Sequence, residues 1–143
     1  MPIELDDVCF NKAGIMERTL ARALEEFAAD PDMSNWSHID ALVLNLERSC
    51  QAAIDLAFHL IAKNHLGIPQ ESADAFRLLS RAGLIGAETE RAMVGMTGFR
   101  NVAVHQYRSL DMEVVKSIMK SGWKSLVVYC GELGLKIQPL GHE

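Results

Sequence analysis

The chain has 143 residues, of which 49% are apolar and 23% charged, the size and composition of a single globular domain. Its net charge of −5 argues against a protein that grips long duplex DNA or RNA. No run approaches the roughly 18 apolar residues that would span a bilayer. The first ten residues, MPIELDDVCF, contain no basic segment, so we expect no signal peptide and a cytoplasmic protein that does not bind membranes.

The cysteines give no sign of a disulfide framework. Cys9, Cys50 and Cys130 are far apart, odd in number and not arranged in a CxxC pair. Disulfide scaffolds have an even number of cysteines, and structural zinc sites have closely paired ones. We therefore expect three buried thiols in a reducing compartment.

The charges are distributed unevenly along the chain. Residues 1–60 contain 4 basic and 11 acidic side chains, whereas the other 83 residues carry a net charge of +2. Between positions 100 and 124, two acids accompany five bases: Arg100, Arg108, Lys116, Lys120 and Lys124. We expect an anionic ligand to bind in this region, although a solvated helix face would show the same pattern.

The first predicted helix runs from Ile3 to about Ala29, because apolar residues recur there at helical spacing. It should stop where Pro31 and two acids break the pattern.

A second long helix follows. Ser37 can serve as its N-cap, with Asp40 three residues later in a capping-box position. A one-sided apolar stripe continues from there: Ile39, Leu42, Val43, Leu46, Cys50, Ala53, Ala57 and Ile61. The helix should run to about His65 and end at Gly67, because glycine readily adopts the left-handed conformation past a helix end.

The second half of the chain predicts shorter helices. One should span about residues 71–81 and stop at Gly83, and another should begin at about Ala87. Ser109 or Asp111 can cap a last helix, after which the segment GLKIQPLGHE looks frayed. No stretch shows strand alternation. The pattern predicts an all-α, antiparallel up-and-down bundle of four to five helices, in one domain over residues 1–143.

The stretch GFRNVAVHQY concentrates polar chemistry in a few residues. If it is helical, at about 100° per residue, Arg100 and Tyr107 lie on one face. Asn101, His105 and Arg108 then form a second polar row beside it. Arg100 and His105 are about 140° apart around the axis, so one helix does not easily aim both at one atom. A two-fold homodimer would bring the motifs of two subunits into a single cleft.

These side chains fit metal-independent RNA cleavage. Imidazole side chains serve as general acids and bases, so His105 could move the proton of a 2′-hydroxyl or of a leaving oxygen. The guanidinium of Arg100 can bind a phosphate bidentately and stabilise the charge of a phosphorane. Asn101 could hold the imidazole tautomer or the phosphate. This scheme needs no metal or other cofactor. The other histidines are scattered and are expected to be surface or half-buried residues, not ligands: His38, His59, His65 and His142.

Four further residues have two interpretations each. Asp55, in the second helix, could orient a cleft residue or be a packing carboxylate. Arg108 could contact a phosphate or be a helix-end cation, and the second interpretation is slightly favoured. Trp36 and Trp123 could stack on a base, but packing in the core or at a dimer interface is favoured for both.

Alone, an Arg and a His five residues apart are a weak signal, and Arg100 and His105 could simply make structural hydrogen bonds. The wider context is more specific. FRNVAVHQY resembles the R-x4-6-H core of the HEPN superfamily, in the R-x4-H-x-Y form of the HepT-like toxins. AIDLAFHLIA is similar to the central helix of that family, and MTGFRN and LDMEVV fit the segments beside its catalytic core. The resemblance covers roughly residues 10–135.

This resemblance implies a homodimeric helical bundle whose two motifs meet in a cleft. It implies a metal-independent endoribonuclease that cuts mRNA or tRNA as the toxin of a toxin–antitoxin pair. Arg100 and His105 match the catalytic residues of the family, and Asn101 matches its supporting polar residue. Tyr107 matches the tyrosine that an MntA-type nucleotidyltransferase antitoxin modifies with AMP. The added charge and bulk would lie where RNA phosphate must bind.

Two other functions stay open at this point. The protein could be a non-catalytic subunit that presents a substrate or nucleotide to a nucleotidyltransferase, with Arg100 and His105 as ligand contacts. Such a subunit need not keep the complete Arg-x4-His-x-Tyr pattern. The protein could also be a purely structural dimeric bundle, for which its ordinary composition is the sole support.

Overall fold

The computed structural model describes residues 3–141, which form helices joined by short connections. No β-strand occurs in these residues, so the predicted all-α class is confirmed. The helices are α1 (Asp7–Ala29), α2 (Trp36–Asn64), α3 (Ser72–Arg81), α4 (Ala87–His105), α5 (Met112–Ser117) and α6 (Lys124–Glu132). A 3₁₀ turn (Tyr107–Ser109) follows α4, and a π-helical segment (Ile118–Gly122) joins α5 to α6. This segment divides the last predicted helix in two and raises the count above the predicted four to five.

Helix α1 begins later than the predicted Ile3 because Asp6 caps it. The carboxylate of Asp6 accepts a hydrogen bond from the backbone N–H of Cys9 (3.1 Å) and contacts His59 (2.8 Å) and Lys63 (3.0 Å) of α2. Capping supplies a partner for an N–H that has none inside the helix. The hydrogen bond from Lys63 is the main reason that the pKa of Asp6 lies well below its usual range. The start of α1 is thereby attached to the C-terminal half of α2.

Helix α2 is capped by Asn35, so the predicted capping box at Ser37 is wrong. The side-chain oxygen of Asn35 accepts hydrogen bonds from the backbone N–H groups of Ser37 (2.9 Å) and His38 (3.3 Å). The backbone N–H of Asn35 itself donates to the carboxylate of Asp30 (2.9 Å), which fixes the cap in place. Asp40 therefore has no capping role, and its side chain is exposed on the first turns of α2.

The predicted ends of α2 and α3 agree with the structure within a residue or two. His65 is the C-cap of α2 in the left-handed conformation (φ 55°), and Gly67 follows with φ 130°. Gly83, just past the end of α3, has φ 78°. Positive φ values of this kind are costly for residues with a Cβ, which is why glycine marks these turns.

The last helical region contains an irregular turn that keeps its apolar face inward. Asp111 caps α5 by accepting a hydrogen bond from the N–H of Glu113 (2.9 Å), so it is the correct one of the two predicted caps. The N–H of Trp123 donates to the carbonyl of Ile118 (2.8 Å), five residues earlier, as in a π-helix. Because of this wider turn, Met119 and Trp123 are both buried.

The segment after α6 is packed against α1, so the prediction of a frayed tail is wrong for its described part. Leu135 and Ile137 are buried. The backbone N–H of Gln138 donates to the carboxylate of Glu17 in α1 (2.6 Å). Two apolar side chains and one charge-assisted hydrogen bond hold this segment to the bundle.

The helices pack around one apolar core. Tyr129 of α6 is completely buried at its centre, and its hydroxyl donates to the carbonyl of Ala53 in α2 (2.9 Å). The ring of Tyr129 meets that of Phe76 edge to face, with centroids 5.5 Å apart. This geometry is favourable for aromatic pairs. Within residues 3–141, no helix is both long and apolar enough to cross a membrane.

The two tryptophans have different environments. Trp123 is buried in the core, as the favoured interpretation predicts. Trp36 opens α2 with 62% of its surface exposed, so it does not pack in the core, and its packing at a dimer interface stays a prediction. It lies one helical turn before Asp40, on the same face of α2.

The predicted burial of the three thiols is confirmed. Cys9, Cys50 and Cys130 are all free and buried, in α1, α2 and α6 respectively. Burial raises the pKa of Cys50 and of Cys130 to about 12, and it also raises the pKa of Cys9. The thiol of Cys130 lies 3.7 Å from the sulfur of Met16. The three cysteines therefore act as apolar core groups in this fold.

Candidate active site at the end of α4

Three residues of the polar motif lie in the last turns of α4. Arg100, Asn101 and His105 are all helical, as the pattern predicts. The angle of about 140° between Arg100 and His105 therefore applies to this helix. One subunit presents the guanidinium and the imidazole on different sides of α4.

Tyr107 lies outside the helix. Helix α4 ends at His105, and the backbone of Gln106 leaves the helical region (φ −141°, ψ 49°). Tyr107 and Arg108 therefore belong to the 3₁₀ turn. The predictions that Tyr107 shares a helical face with Arg100, and that Arg108 continues the row of His105, are wrong for this reason.

The side chain of Arg100 is half-buried and turned toward α2. One of its terminal nitrogens donates to the side-chain oxygen of Asn101 (3.2 Å). Burial and the charge of Glu47 raise the pKa of Cys50 in α2, and the positive charge of Arg100 acts in the opposite direction. The Nε atom of Arg100 is buried and has no hydrogen-bond acceptor within residues 3–141. A buried donor without an acceptor costs about 1–3 kcal/mol, so this side chain is not optimised for the fold of one subunit.

Asn101 supports the arginine in this structure. Its side-chain oxygen accepts the hydrogen bond from Arg100, whereas the sequence suggested a contact with the imidazole or the phosphate. His105 is exposed at the last position of α4, where a substrate can reach its ring. The two catalytic candidates are thus one partly buried cation and one accessible imidazole.

The hydroxyl of Tyr107 donates a hydrogen bond to the carboxylate oxygen Oδ1 of Asp40, 67 residues earlier in the chain. Burial, followed by the hydrogen bond and the charge of Asp40, raises the pKa of Tyr107 to about 12. Sequence reasoning missed Asp40 as a site residue, because its position near the start of α2 suggested a capping acid. No local pattern connects it with the motif.

The other two candidates lie apart from this contact. Asp55 pairs with Lys12 of α1 (3.4 Å) and accepts a hydrogen bond from Gln51 (2.8 Å), which favours its interpretation as a packing carboxylate. Arg108 is exposed in the 3₁₀ turn just past the C-terminal end of α4. That position suits a helix-end cation and leaves the guanidinium accessible to an anion.

An apolar groove of about 480 Å³ adjoins the motif between α4 and the start of the last helical region. Its lining includes Gly95, Gly98, Val102, Leu110 and Val114. Apart from the adjacent residues and the backbone of α4 itself, no atom of the described chain lies within 4 Å of a Cβ placed on Gly95 or Gly98. Small residues allow another backbone to approach a helix closely, so this side of α4 has room for a partner.

One group of potential metal ligands occurs in the part of the chain that the structure describes. Ligand atoms of Asp6, Cys9 and His59 lie within 4.8 Å of one another. The carboxylate of Asp6 already caps α1, and the ammonium group of Lys63 lies 3.0 Å from it. The carboxylate is thus already paired with a cation, and Asp6, His59 and Lys63 form an ion-pair network between α1 and α2. His142 lies outside the described residues.

Known proteins are similar to this chain in both sequence and fold. The family model described as Ribonuclease HepT-like matches residues 15–132. The mRNA nuclease HepT of Shewanella oneidensis is 32% identical over 117 residues, which cover 81% of this chain and 88% of that protein.

Solved structures agree with these matches. The tri-AMPylated HEPN toxin of Shewanella oneidensis, in complex with its MNT antitoxin, superimposes with a TM-score of 0.86 and 29% identity. The match covers 91% of this chain and 98% of that toxin. A toxin–antitoxin structure with AMP-PNP gives a TM-score of 0.86 and 28% identity, over 90% of this chain and 98% of the matched one. The chain therefore belongs to the HepT-like ribonuclease family.

Proposed function

We propose that this protein is the toxin of a toxin–antitoxin pair and acts in the cytoplasm as a metal-independent endoribonuclease. Its substrate is a single-stranded segment of RNA, from mRNA or tRNA, bound in a cleft between two copies of the chain. A nucleotidyltransferase antitoxin of the MNT type neutralises it by adding AMP to Tyr107. The relatives support this proposal, because they are described as an mRNA nuclease and as a tri-AMPylated toxin with an MNT antitoxin.

The observation that carries the nuclease proposal is the incomplete hydrogen bonding of the partly buried Arg100. Its guanidinium is partly buried and held by Asn101, and its Nε atom lacks an acceptor among the described residues. A guanidinium has a planar set of N–H donors that matches the oxygens of a phosphate. An RNA phosphate would supply the acceptors that one subunit does not.

The chemistry then follows from the two motif residues. Arg100 binds the scissile phosphate and stabilises the additional charge on its oxygens. His105 accepts the proton of the 2′-hydroxyl while that oxygen attacks the phosphorus. The bond to the 5′-oxygen breaks, and an imidazolium, which the second subunit can supply, protonates the leaving oxygen. The products are a 2′,3′-cyclic phosphate and a free 5′-hydroxyl.

A homodimer would explain how Arg100 and His105 can act on the same phosphate. Arg100 and His105 lie about 140° apart on α4, so a single copy does not direct both at one phosphate. The apolar groove and the uncovered glycines of α4 adjoin the motif on the same helix. A second copy related by a two-fold axis would cover this surface and bring two sets of motif residues into one cleft.

The nuclease proposal is tested by RNA cleavage in EDTA, with protein produced without its antitoxin. The variants are His105→Asn and, as a matched control, His65→Asn. His65 is exposed and has a left-handed backbone that asparagine tolerates. We expect cleavage with cyclic phosphate ends from the wild type and the control, and none from His105→Asn.

Equal cleavage by all three proteins would refute the role of His105. If the wild type is inactive although mass spectrometry shows that Tyr107 is unmodified, the non-catalytic nucleotide-binding subunit becomes the better explanation. Calorimetry with ATP and AMP would then test that function directly.

A further inference from the structure

The contact between Tyr107 and Asp40 links the motif to a helix that sequence analysis did not connect with it. The phenol belongs to the 3₁₀ turn after α4, and the carboxylate belongs to the first turns of α2. Asp40 is exposed, and its capping role is taken by Asn35. A side chain with no part in capping or in the core is thus held against the reacting oxygen of the proposed modification.

A purely structural role explains this contact poorly. An exposed hydrogen bond of this kind adds little to stability, on the order of 1 kcal/mol or less. Tyr129, whose role in this fold is structural, makes a different contact: its ring is buried and its hydroxyl donates to a backbone carbonyl. The acceptor at Tyr107 is a group that can also take up a proton.

Transfer of AMP to a phenol requires removal of the phenolic proton. With a pKa of about 12, roughly one molecule in 10⁵ carries a free phenolate at pH 7. The oxygen must therefore lose its proton as it attacks, to a base within hydrogen-bond distance. The carboxylate of Asp40 already accepts the hydrogen bond from this oxygen.

We propose that Asp40 is the general base for modification of Tyr107, an inference that rests on the function proposed above. The phenolic oxygen of Tyr107 attacks the α-phosphorus of ATP bound to the nucleotidyltransferase, and the proton passes to Asp40. The new bond joins that oxygen to phosphorus, the bond from the α-phosphorus to the bridging oxygen breaks, and pyrophosphate leaves. Asp40 then releases the proton to solvent. The toxin itself therefore supplies one catalytic residue of the reaction that inactivates it.

The same contact gives the modification a structural effect. The modified tyrosine has no hydroxyl proton to donate, and its phosphodiester carries a negative charge beside the carboxylate of Asp40. Like charges at this distance repel each other. AMP addition is therefore expected to release the 3₁₀ turn from α2 and move it relative to His105.

The test measures AMP incorporation by intact mass, with ATP, the cognate nucleotidyltransferase and the complete toxin chain. Asp40→Asn keeps an oxygen that can accept the hydrogen bond but removes the base, whereas Asp40→Glu keeps a carboxylate. Asp32→Asn, at another exposed aspartate, is the matched control. We expect Asp40→Asn to lower kcat by about 10²-fold or more with little change in KM for the toxin. Asp40→Glu should recover much of the rate, and Asp32→Asn should match the wild type.

The possible results separate the two proposals. If the wild type gains AMP on Tyr107 and Asp40→Asn gains it at the same kcat, the role of Asp40 is refuted and the proposed regulation stands. If Asp40→Glu is as slow as Asp40→Asn, a carboxylate is not the requirement and the inference also fails. If the wild type gains no AMP, the proposed regulation fails and this inference fails with it. Circular dichroism of each variant verifies the helical fold.

Discussion

The chain has two tyrosines, and they donate hydrogen bonds in two different settings. Tyr129 is completely buried in α6 and donates to the peptide carbonyl of Ala53. Tyr107 is half-buried in the turn after α4 and donates to the carboxylate of Asp40. Burial is the largest cause of the raised pKa in both cases.

The difference lies in the acceptor. A peptide carbonyl does not take up a proton at physiological pH, so the hydroxyl of Tyr129 can serve only to satisfy and orient the buried ring. A carboxylate can accept the proton, so the contact of Tyr107 can take part in chemistry. A raised pKa therefore accompanies a structural residue in one region and a proposed reactive residue in the other, and the hydrogen-bond acceptor distinguishes the two.

The largest expected effect comes from removing each hydroxyl in turn. Tyr107→Phe should abolish AMP incorporation, because the attacking oxygen is absent. Tyr129→Phe should be modified at the rate of the wild type, since its hydroxyl is enclosed in the core. Tandem mass spectrometry of the modified protein locates the AMP. Its presence on Tyr129, or on Tyr107→Phe at an undiminished level, would contradict the comparison.

The second-largest expected effect is a loss of RNA cleavage on substitution of Arg100, which lies in the same motif as Tyr107. Arg100→Lys keeps the charge but loses the planar set of donors, so we expect RNA cleavage to fall on the order of 10²-fold. Its free energy of unfolding should not fall below that of the wild type, because the substitution removes a buried Nε atom that has no acceptor within residues 3–141. Arg91→Lys, an exposed arginine of α4, is the matched control for both assays. Equal cleavage by the two variants would count against phosphate binding by Arg100.

The free energy of unfolding should depend more on the hydroxyl of Tyr129 than on that of Tyr107. Tyr129→Phe should lower the free energy of unfolding by about 1 kcal/mol, the usual value of one buried hydrogen bond. Tyr107→Phe should change it by about 0.5 kcal/mol or less, because that hydrogen bond is exposed. Urea unfolding followed by circular dichroism compares the two variants under identical conditions. A larger loss from Tyr107→Phe would show that the turn is a structural element after all.

The smallest expected effect is a shift in the pKa of Tyr107. In Tyr129→Phe, Tyr107 is the one remaining tyrosine, and its ionisation can be followed by ultraviolet absorbance. Adding Asp40→Asn should lower the pKa of Tyr107 from about 12, yet leave it above the usual value of 10 because burial is the larger cause. An unchanged pKa would mean that the contact does not persist in solution.

The raised pKa also determines how Tyr107 affects stability at alkaline pH. Between about pH 10 and about pH 12 the unfolded chain loses the phenolic proton before the folded one. The contribution of Tyr107 is therefore complete below pH 10 and declines as the pH rises through this interval.

Much of the motif could be predicted from local spacing. The helical periodicity of α4 correctly placed Arg100, Asn101 and His105 within one helix. The end of that helix was not predictable in the same way, because neither glycine nor proline follows His105 before Tyr107. The chain leaves the helix at Gln106, a residue type with good helix propensity, so local propensity does not mark this end.

The contact of Asp40 lay beyond sequence reasoning for two reasons. Its partner is 67 residues away, and no pattern in one sequence reports such a distance. Asn35 and Ser37 are also both good N-caps, so the start of α2 had two equally plausible positions. The hydrogen bond from the N–H of Asn35 to Asp30 decides between them, and it is visible only in the folded loop.

The reactivity of the buried thiols can report local opening of the helices that carry them. Cys9, Cys50 and Cys130 belong to three different helices, and a maleimide or disulfide reagent attacks only an accessible thiolate. Each cysteine can therefore react only when its own helix separates from the core. Labelling rates at the three positions, with and without AMP on Tyr107, would show which helices loosen when the toxin is silenced. No engineered residue is needed for this labelling, because the chain already carries one cysteine in each of α1, α2 and α6.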